Sequence, residues 1–318
     1  MYKILINDGI HPDGLELLRD AGYDCDTDKV PQDELMDRLP EYDVITVRSA
    51  TKVREDVIAN CPKLKVIARG GVGLDNIDVD FAKSKGIAVV NTPAASSESV
   101  AELAFAHMFS LARFLYQSNR AMPHRGDTEF KALKKAYSKG IQLRGRTLGI
   151  IGFGRIGQET ARIGVALGMN VLPVDLHIDE ADISVNVFDN DSVGINLKLK
   201  TVGMDEMLAQ ADFVSLHVPS VSRPIIGADE FAKMKDGAII VNCARGGVID
   251  EDALLAALES GKIAAAGLDV FENEPTPRRE LLEHDRISLT PHIGASTGAA
   301  QRNIGTEMAE KIIAHLEK

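Results

Sequence analysis

The run Ile150-Ile151-Gly152-Phe153-Gly154-Arg155-Ile156-Gly157 sets three glycines between an apolar, β-branched stretch and an amphipathic one, with Asp175 some twenty positions downstream. Glycines so spaced can cradle a pyrophosphate. Gly152 permits a tight turn, Gly154 lets the backbone approach the phosphates, and Gly157 lets a helix pack on a strand, while the helix N-terminus attracts the anion. Asp175, at the end of the next strand, is expected to accept hydrogen bonds from the ribose hydroxyls of NAD and to repel the extra phosphate of NADP. His177 softens that preference only when protonated. The plainer alternative is a doubly wound domain whose glycines only turn the chain. Strand, three glycines, helix and acid in one register favour the cofactor.

Oxidation of a hydroxyl beside a bound nicotinamide needs a base, a group that holds the base in one tautomer, and a cation for the substrate carboxylate. Three later segments offer these. Arg245, in Val241-Asn242-Cys243-Ala244-Arg245-Gly246-Gly247, directly follows a predicted strand, so its planar guanidinium falls at the carboxyl end of a sheet. Glu274 lies in Asp269-Val270-Phe271-Glu272-Asn273-Glu274-Pro275, which leaves another strand. His292 lies in Pro291-His292-Ile293-Gly294-Ala295, after the short strand Ile287–Leu289. Each also has a bland role: Arg245 as a solvated or paired charge, Glu274 as an idle loop acid, His292 as a cap or core histidine. Spacing along the chain does not show that the three converge.

The elements that must position these residues follow a βαβ rhythm, which implies parallel sheets and an α/β fold. Strands are predicted at Lys3–Ile6, Asp43–Val47, Lys65–Ala68 and Ala88–Val90, separated by helical patterns. Thr92-Pro93 then breaks the chain, and Ser99 with Glu102 suggests a capping box opening a helix to about Tyr116. Arg120–Arg146 carries Pro123, Gly126 and Gly140 and reads as a surface connection with a short helix at Phe130–Tyr137. A second series has strands near Thr147–Ile151, Val171–Val174, Phe213–Leu216, Ala238–Val241 and Ala265–Leu268. Between them, Ile183–Phe188 and Ile195–Lys200 alternate strictly around Asp189–Gly194, predicting an inserted β-hairpin, either an oligomer contact or a surface excursion. The last helix is expected at Gly298–Leu316, with no appended regulatory domain.

At 318 residues the chain exceeds the roughly 250–300 at which a single core stops growing, so two domains are expected. A net charge of −11 argues against nucleic acid and anionic membranes, both of which demand a basic surface. The most apolar stretch, Ala101–Tyr116, is interrupted by Glu102, His107 and Arg113 and is not expected to span a bilayer. It can pack within its own subunit or against a partner. Cys25, Cys61 and Cys243 lack metal or redox spacing, so no metal and a reducing, cytoplasmic setting are expected.

Through Gly152–Gly157, Asn242–Gly247, Asp269-Val270-Phe271-Glu272 and Pro291-His292-Ile293-Gly294, the chain resembles the D-isomer-specific 2-hydroxyacid dehydrogenases over essentially its whole length. The resemblance implies two doubly wound parallel-sheet domains, with a Rossmann NAD-binding domain (96–290) inserted into a flavodoxin-like substrate domain (1–95 and 291–318). It also implies that Arg245, Glu274 and His292 are catalytic. His292 would take the hydroxyl proton, Glu274 would orient its imidazole, and Arg245 would grip the carboxylate and the reacting oxygen. Arg155 and Ile156 would contact the pyrophosphate, His217 and Val218 would border the adenosine, and Asp269 would lie near the nicotinamide. Val72, Cys243, Ala244, Arg245, His292, Gly294 and Ala295 would complete the cofactor site, with Cys243 as a small buried hydrophobe without chemistry.

Within that family, Val47–Val53 and Ala68–Asp78 are most similar to the phosphoglycerate dehydrogenase type. This implies NAD-dependent oxidation of 3-phospho-D-glycerate to 3-phosphohydroxypyruvate, the first step of serine biosynthesis. Arg48 and Arg69 both follow predicted strands and can neutralise a phosphate, with Ser49, Gly70, Gly71 and Arg245 also meeting the substrate. Alternatively, the two arginines pair with Asp75 or Asp78. Ser96 stands where relatives often carry an asparagine. Competing functions are a glyoxylate or hydroxypyruvate reductase, another D-2-hydroxyacid dehydrogenase, and a non-enzymatic NADH-sensing protein. The expected partners are a small phosphorylated 2-hydroxy acid and a second copy of the chain.

Overall fold

A computed structural model describes residues 1–187 and 190–317, without the side chains of 187–193. The chain divides into two compact units, one made of Met1–Ser99 and Ala295–Lys318, the other of Val100–Gly294. The second is thus inserted into the first. Both boundaries fall a few residues after Pro93 and Pro291, and His292, whose N–H donates to the Asp269 carbonyl at 2.8 Å, lies in the inserted unit.

The first unit is built on strands β1 (Lys3–Ile6), β2 (Asp24–Asp26), β3 (Val44–Val47), β4 (Val66–Arg69) and β5 (Ala88–Asn91). They form one parallel sheet in the order β2-β1-β3-β4-β5, the flavodoxin-like arrangement. β3 is buried at every position, as a strand covered on both faces must be. One face packs on Leu35, Leu39, Tyr42 and Ile58, the other on Leu18, Met308, Ala309 and Ile312. Helix Gly298–Leu316 has the predicted bounds, capped by Thr297 Oγ1 at Ala300 N–H. Its Gly305 lies so close to helix Pro12–Asp20 that a Cβ on Gly14 would strike the Gly305 carbonyl and a Cβ on Gly305 would strike His11.

The inserted unit contains β6 (Thr147–Ile151), β7 (Asn170–Val174), β8 (Glu180–Val187), β9 (Asn190–Lys200), β10 (Phe213–Leu216), β11 (Ala238–Asn242), β12 (Ile263–Leu268) and β13 (Ile287–Leu289). Six of these make a parallel sheet in the order β13-β12-β11-β10-β6-β7. The order reverses between β10 and β6, and such a switch point opens a crevice at the carboxyl ends of the two strands.

The predicted hairpin is β8 paired antiparallel with β9 as a separate two-stranded sheet, with Phe188 and Asp189 outside the described residues. Ile183, Ala181 and Leu199 on its apolar face join the core beneath. Two expectations fail. Ser99 does not open its helix, which begins at Ser97; its hydroxyl instead meets Thr297 Oγ1 at 2.7 Å. The segment from Leu115 to Arg125 is a helix that includes Pro123, separated from Ser97–Ala112 by a left-handed Phe114 (φ +54°). Pro123 is the third residue from the C-terminal end of that helix, so the one hydrogen bond it lacks and any kink it causes affect only the last turn.

Candidate active site

The glycine turn joins β6 to helix Arg155–Ala166 at the switch point. Gly152 has φ +91°, and a Cβ there would lie 2.5 Å from the His217 carbonyl oxygen after β10. Gly157 lies over Gly152, with no room for a Cβ, so helix and turn touch directly. Gly154, the helix N-cap, differs: a Cβ there would meet nothing within 4 Å. The turn therefore has two packing glycines and one facing open space, beside the free N–H groups of the first helical turn.

Asp175 closes the turn from below. Its Oδ2 accepts the Phe153 N–H at 2.7 Å, and its Oδ1 accepts those of His177 and Ile178 at 2.8 and 3.1 Å. Burial works to raise this carboxyl, but the three N–H donors hold it below the ordinary aspartate range. The carboxylate shapes the loop and keeps acceptor capacity for a hydroxyl.

Across the crevice, His217 Nε2 lies 3.0 Å from Thr160 Oγ1, which donates to the Ile156 carbonyl at 2.9 Å, and 2.9 Å from Ser215 Oγ. His217 Nδ1 is a buried ring nitrogen with no partner among the described residues. Burial pushes this imidazole down to about 3, so it stays neutral. An open glycine, free helix N–H groups and an orphaned ring nitrogen fit a dinucleotide. Val218 packs beside them, near Gly152. Cys243 is buried, and burial raises its thiol far above the ordinary value, so it is an inert hydrophobe.

Arg245, Glu274 and His292 all belong to the inserted unit, each on a loop leaving the carboxyl end of β11, β12 or β13. His292 Nδ1 and Glu274 Oε2 are 2.8 Å apart. Glu274 Oε1 accepts the Phe271 N–H at 3.0 Å, which fixes the carboxylate to its own loop. Partial burial works to raise the Glu274 carboxyl, but His292, the Phe271 N–H and the Arg245 charge hold it below the ordinary range. The ring is thereby held with Nδ1 toward the acid, while Nε2 has no hydrogen bond among the described residues. The Arg245 backbone is placed by Asn242, whose Nδ2 donates to the Arg245 carbonyl at 2.9 Å and whose Oδ1 accepts the Ala244 N–H at 3.0 Å.

His292 has φ +53°, a left-handed conformation that costs a non-glycine residue on the order of 1 kcal/mol. Asp269 holds it there. Its carbonyl accepts the His292 N–H, its Oδ1 the Ile293 N–H at 2.8 Å, and its Oδ2 the Gly294 N–H at 2.9 Å.

In the other unit, Arg69 ends β4 paired with Val47, and Arg48 is the residue after Val47 in the adjacent β3, so both lie at the carboxyl edge of one sheet. Asp8, after β1, accepts the Arg48 N–H at 2.7 Å, the Thr51 N–H at 3.1 Å and the Thr51 hydroxyl at 2.8 Å. Arg48 Nη1 donates to Gln301 Oε1. Burial lowers the Arg48 value and Asp8 opposes it, leaving a cation. Asp78 is taken by Arg54 at 2.8 Å. The Arg69 guanidinium covers Gly71 (φ +139°), where a Cβ would strike Nη1. Ser49 is exposed, Gly70 and Ser96 are buried, and the exposed Val72 gives its carbonyl to Asn91 Nδ2 at 2.6 Å. Ala295 gives its carbonyl to Gln301 Nε2 at 2.7 Å.

Sequence reasoning missed Asp8, Gln301, Thr160 and Asn242. The first carried a signal in its place just past the first strand. Among the described residues no helix is long and apolar enough to cross a membrane, and no cluster of metal-ligating side chains occurs.

Comparison with known proteins adds the following. Residues 105–294 match the family described as D-isomer specific 2-hydroxyacid dehydrogenase, NAD binding domain. The hydroxypyruvate reductase of Thermotoga maritima is 46% identical over 99% of this chain and 98% of its own length. The D-3-phosphoglycerate dehydrogenase of Methanocaldococcus jannaschii is also 46% identical, over 98% of this chain, which spans 57% of that relative. A crystal structure of a glyoxylate reductase from Paecilomyes thermophila superposes with a TM-score of 0.83 at 34% identity, covering 99% of this chain and 95% of that one.

Proposed function

The chain belongs to the D-isomer-specific 2-hydroxyacid dehydrogenases and carries their NAD-binding domain, and from that premise we propose that it oxidises 3-phospho-D-glycerate to 3-phosphohydroxypyruvate. The carrying observation is the pair Arg48 and Arg69 at adjacent strand ends, with the Arg48 loop tied down by Asp8. Two guanidiniums from one sheet edge suit a phosphate, which an unphosphorylated acid does not offer.

His292 takes the substrate hydroxyl proton on Nε2. Glu274 keeps Nδ1 protonated and balances the imidazolium that forms, as an acid behind a histidine base does. Arg245 takes the substrate carboxylate in its planar fork. Gly154 and the first turn of helix Arg155–Ala166 hold the pyrophosphate, and Asp175 holds a ribose hydroxyl. NAD held there would supply the ring carbon that accepts hydride from the substrate. The same groups run the reaction in reverse, with His292 as the acid. The working form we propose is a cytoplasmic homodimer joined through helices Ser97–Ala112 and Leu115–Arg125, where Phe109, Leu115 and Met122 are exposed.

A second reading, hydroxypyruvate reductase, is favoured by the match to the Thermotoga maritima protein along its whole length. NADH consumption with phosphohydroxypyruvate, hydroxypyruvate and glyoxylate at equal concentrations separates the two. The phosphorylated acid should be preferred by roughly tenfold or more, the worth of one charged hydrogen bond. Equal or faster turnover of hydroxypyruvate overturns the phosphoglycerate assignment and leaves the second reading standing.

A further inference from the structure

We infer that His107 is a positioning residue for the reaction: through Thr290 and Asp269 it holds the loop that carries His292 in its strained conformation. His107 is buried in helix Ser97–Ala112 and belongs to none of the motifs above. Its Nδ1 lies 2.9 Å from Ser288 Oγ and its Nε2 lies 3.0 Å from Thr290 Oγ1. Thr290 Oγ1 is in turn 2.7 Å from Asp269 Oδ1.

The proton count fixes the direction of this chain. A threonine hydroxyl has one proton, and a carboxylate can only accept, so Thr290 donates to Asp269 and must receive from His107 Nε2. Burial holds the imidazole of His107 below its ordinary value, so it is neutral and Nδ1 accepts from Ser288. Every proton from Ser288 to Asp269 therefore points toward the carboxylate. With Thr290 on Oδ1, the remaining lone pairs of Asp269 are directed at the Ile293 and Gly294 N–H groups, which immediately follow His292. Strain at a residue such as His292 persists only where its surroundings over-determine it. This chain is what over-determines it.

The packing around His107 serves the same end. Its side chain lies on Gly267 of β12, where an added Cβ would come within 2.7 Å of His107 Cβ and 2.9 Å of Cγ. Gly267 pairs with Ser288 across the sheet, which puts the imidazole over both strands whose ends bear Asp269 and Thr290.

This inference rests on His292 as the proton acceptor, and the test keeps the two apart. It follows steady-state turnover with phosphohydroxypyruvate and hydroxypyruvate, NADH affinity by nicotinamide fluorescence, and the thermal midpoint. His107→Leu should lower kcat about ten- to a hundredfold, the scale of a displaced catalytic group. NADH affinity and KM should stay within about twofold. His107→Gln keeps an N–H for Thr290 Oγ1 and should recover most of the loss. Thr290→Val cuts the same link, and combined with His107→Leu it should cost little more than the larger single change.

An unaltered kcat in His107→Leu, equal losses in His107→Leu and His107→Gln, or losses that multiply in the double variant overturn the positioning role. If His107→Leu fails to fold, Thr290→Val decides by the same kcat against affinity split. Full turnover in His292→Asn overturns the acid–base assignment instead.

Discussion

The two sheets present their carboxyl edges in different ways. On the five-stranded sheet, the groups that stand out are cations: Arg48 and Arg69 emerge from neighbouring strands over a loop fastened by Asp8. On the six-stranded sheet, the groups that stand out are Glu274 and His292, joined by a hydrogen bond, and the Asp269 carboxylate that accepts the N–H groups following His292. The first edge offers charge on long side chains, and the second offers geometry fixed by hydrogen bonds. Recognition tolerates the former, and proton transfer demands the latter.

If the edges divide the work in this way, changes at one should leave the other's property intact. The largest effect belongs to His292→Ala. Loss of a general base typically costs 10²- to 10⁴-fold, so kcat should fall by roughly that much for every 2-hydroxy acid, phosphorylated or not. Nicotinamide fluorescence should show NADH binding nearly unchanged. Joint loss of binding and turnover would mean that the histidine loop also builds the cofactor site, and the division would break.

Arg48→Ala should act smaller and on one substrate class. Removal of a charged hydrogen bond worth about 1.5–3 kcal/mol predicts roughly a ten- to hundredfold drop in kcat/KM for the phosphorylated acid. Hydroxypyruvate should be turned over as before. Equal losses for both would show Arg48 acting on the fold or on the carboxylate.

The smallest effect is on stability and arises wholly in the inserted unit. His107 and His217 are both held neutral by burial, His217 down to about 3. The unfolded chain takes up these protons near the ordinary histidine value of about 6.5, while the folded chain does not, so stability falls as pH drops below that value. The loss for His217 continues until about pH 3. Between pH 6.5 and 5, above the range of the depressed carboxylates Asp175 and Glu274, the thermal midpoint should decline, and His217→Gln should flatten the decline. An unchanged slope in that variant would remove His217 as its source.

How much of this was readable beforehand depended on distance along the chain. The glycine turn, the hairpin and the last helix are local patterns; the turn and the helix occur where their spacing places them, and the hairpin does too except that Asn190–Gly194, expected in its connection, belong to β9. β2 has three residues, two of them acidic, and offers no pattern long enough to detect. Helix Leu115–Arg125 was hidden because Pro123 reads as a breaker without knowledge of how near the helix end it falls. His107 counted only as a polar interruption of an apolar stretch, since its partners Ser288 and Thr290 lie 181 and 183 positions away. Arg245, Glu274 and His292 could be nominated by type and by the strand each follows. The 2.8 Å contact between the last two comes from the parallel order of β11, β12 and β13.

Among the described residues the hairpin of β8 and β9 forms a two-stranded sheet of its own, and at its base the Thr201 N–H meets the Asp179 carbonyl at 2.9 Å. Its two ends are already joined. A short turn from Asp179 to Thr201 can therefore replace it, or a foreign sequence can be carried in its place, without removing a single rung from the six-stranded sheet. What such a graft must supply is a lid for the core that Ile183 now seals, being 1% exposed. In that sense the segment is a cassette with one apolar key, and the enzyme around it is a scaffold that accepts exchange at this point.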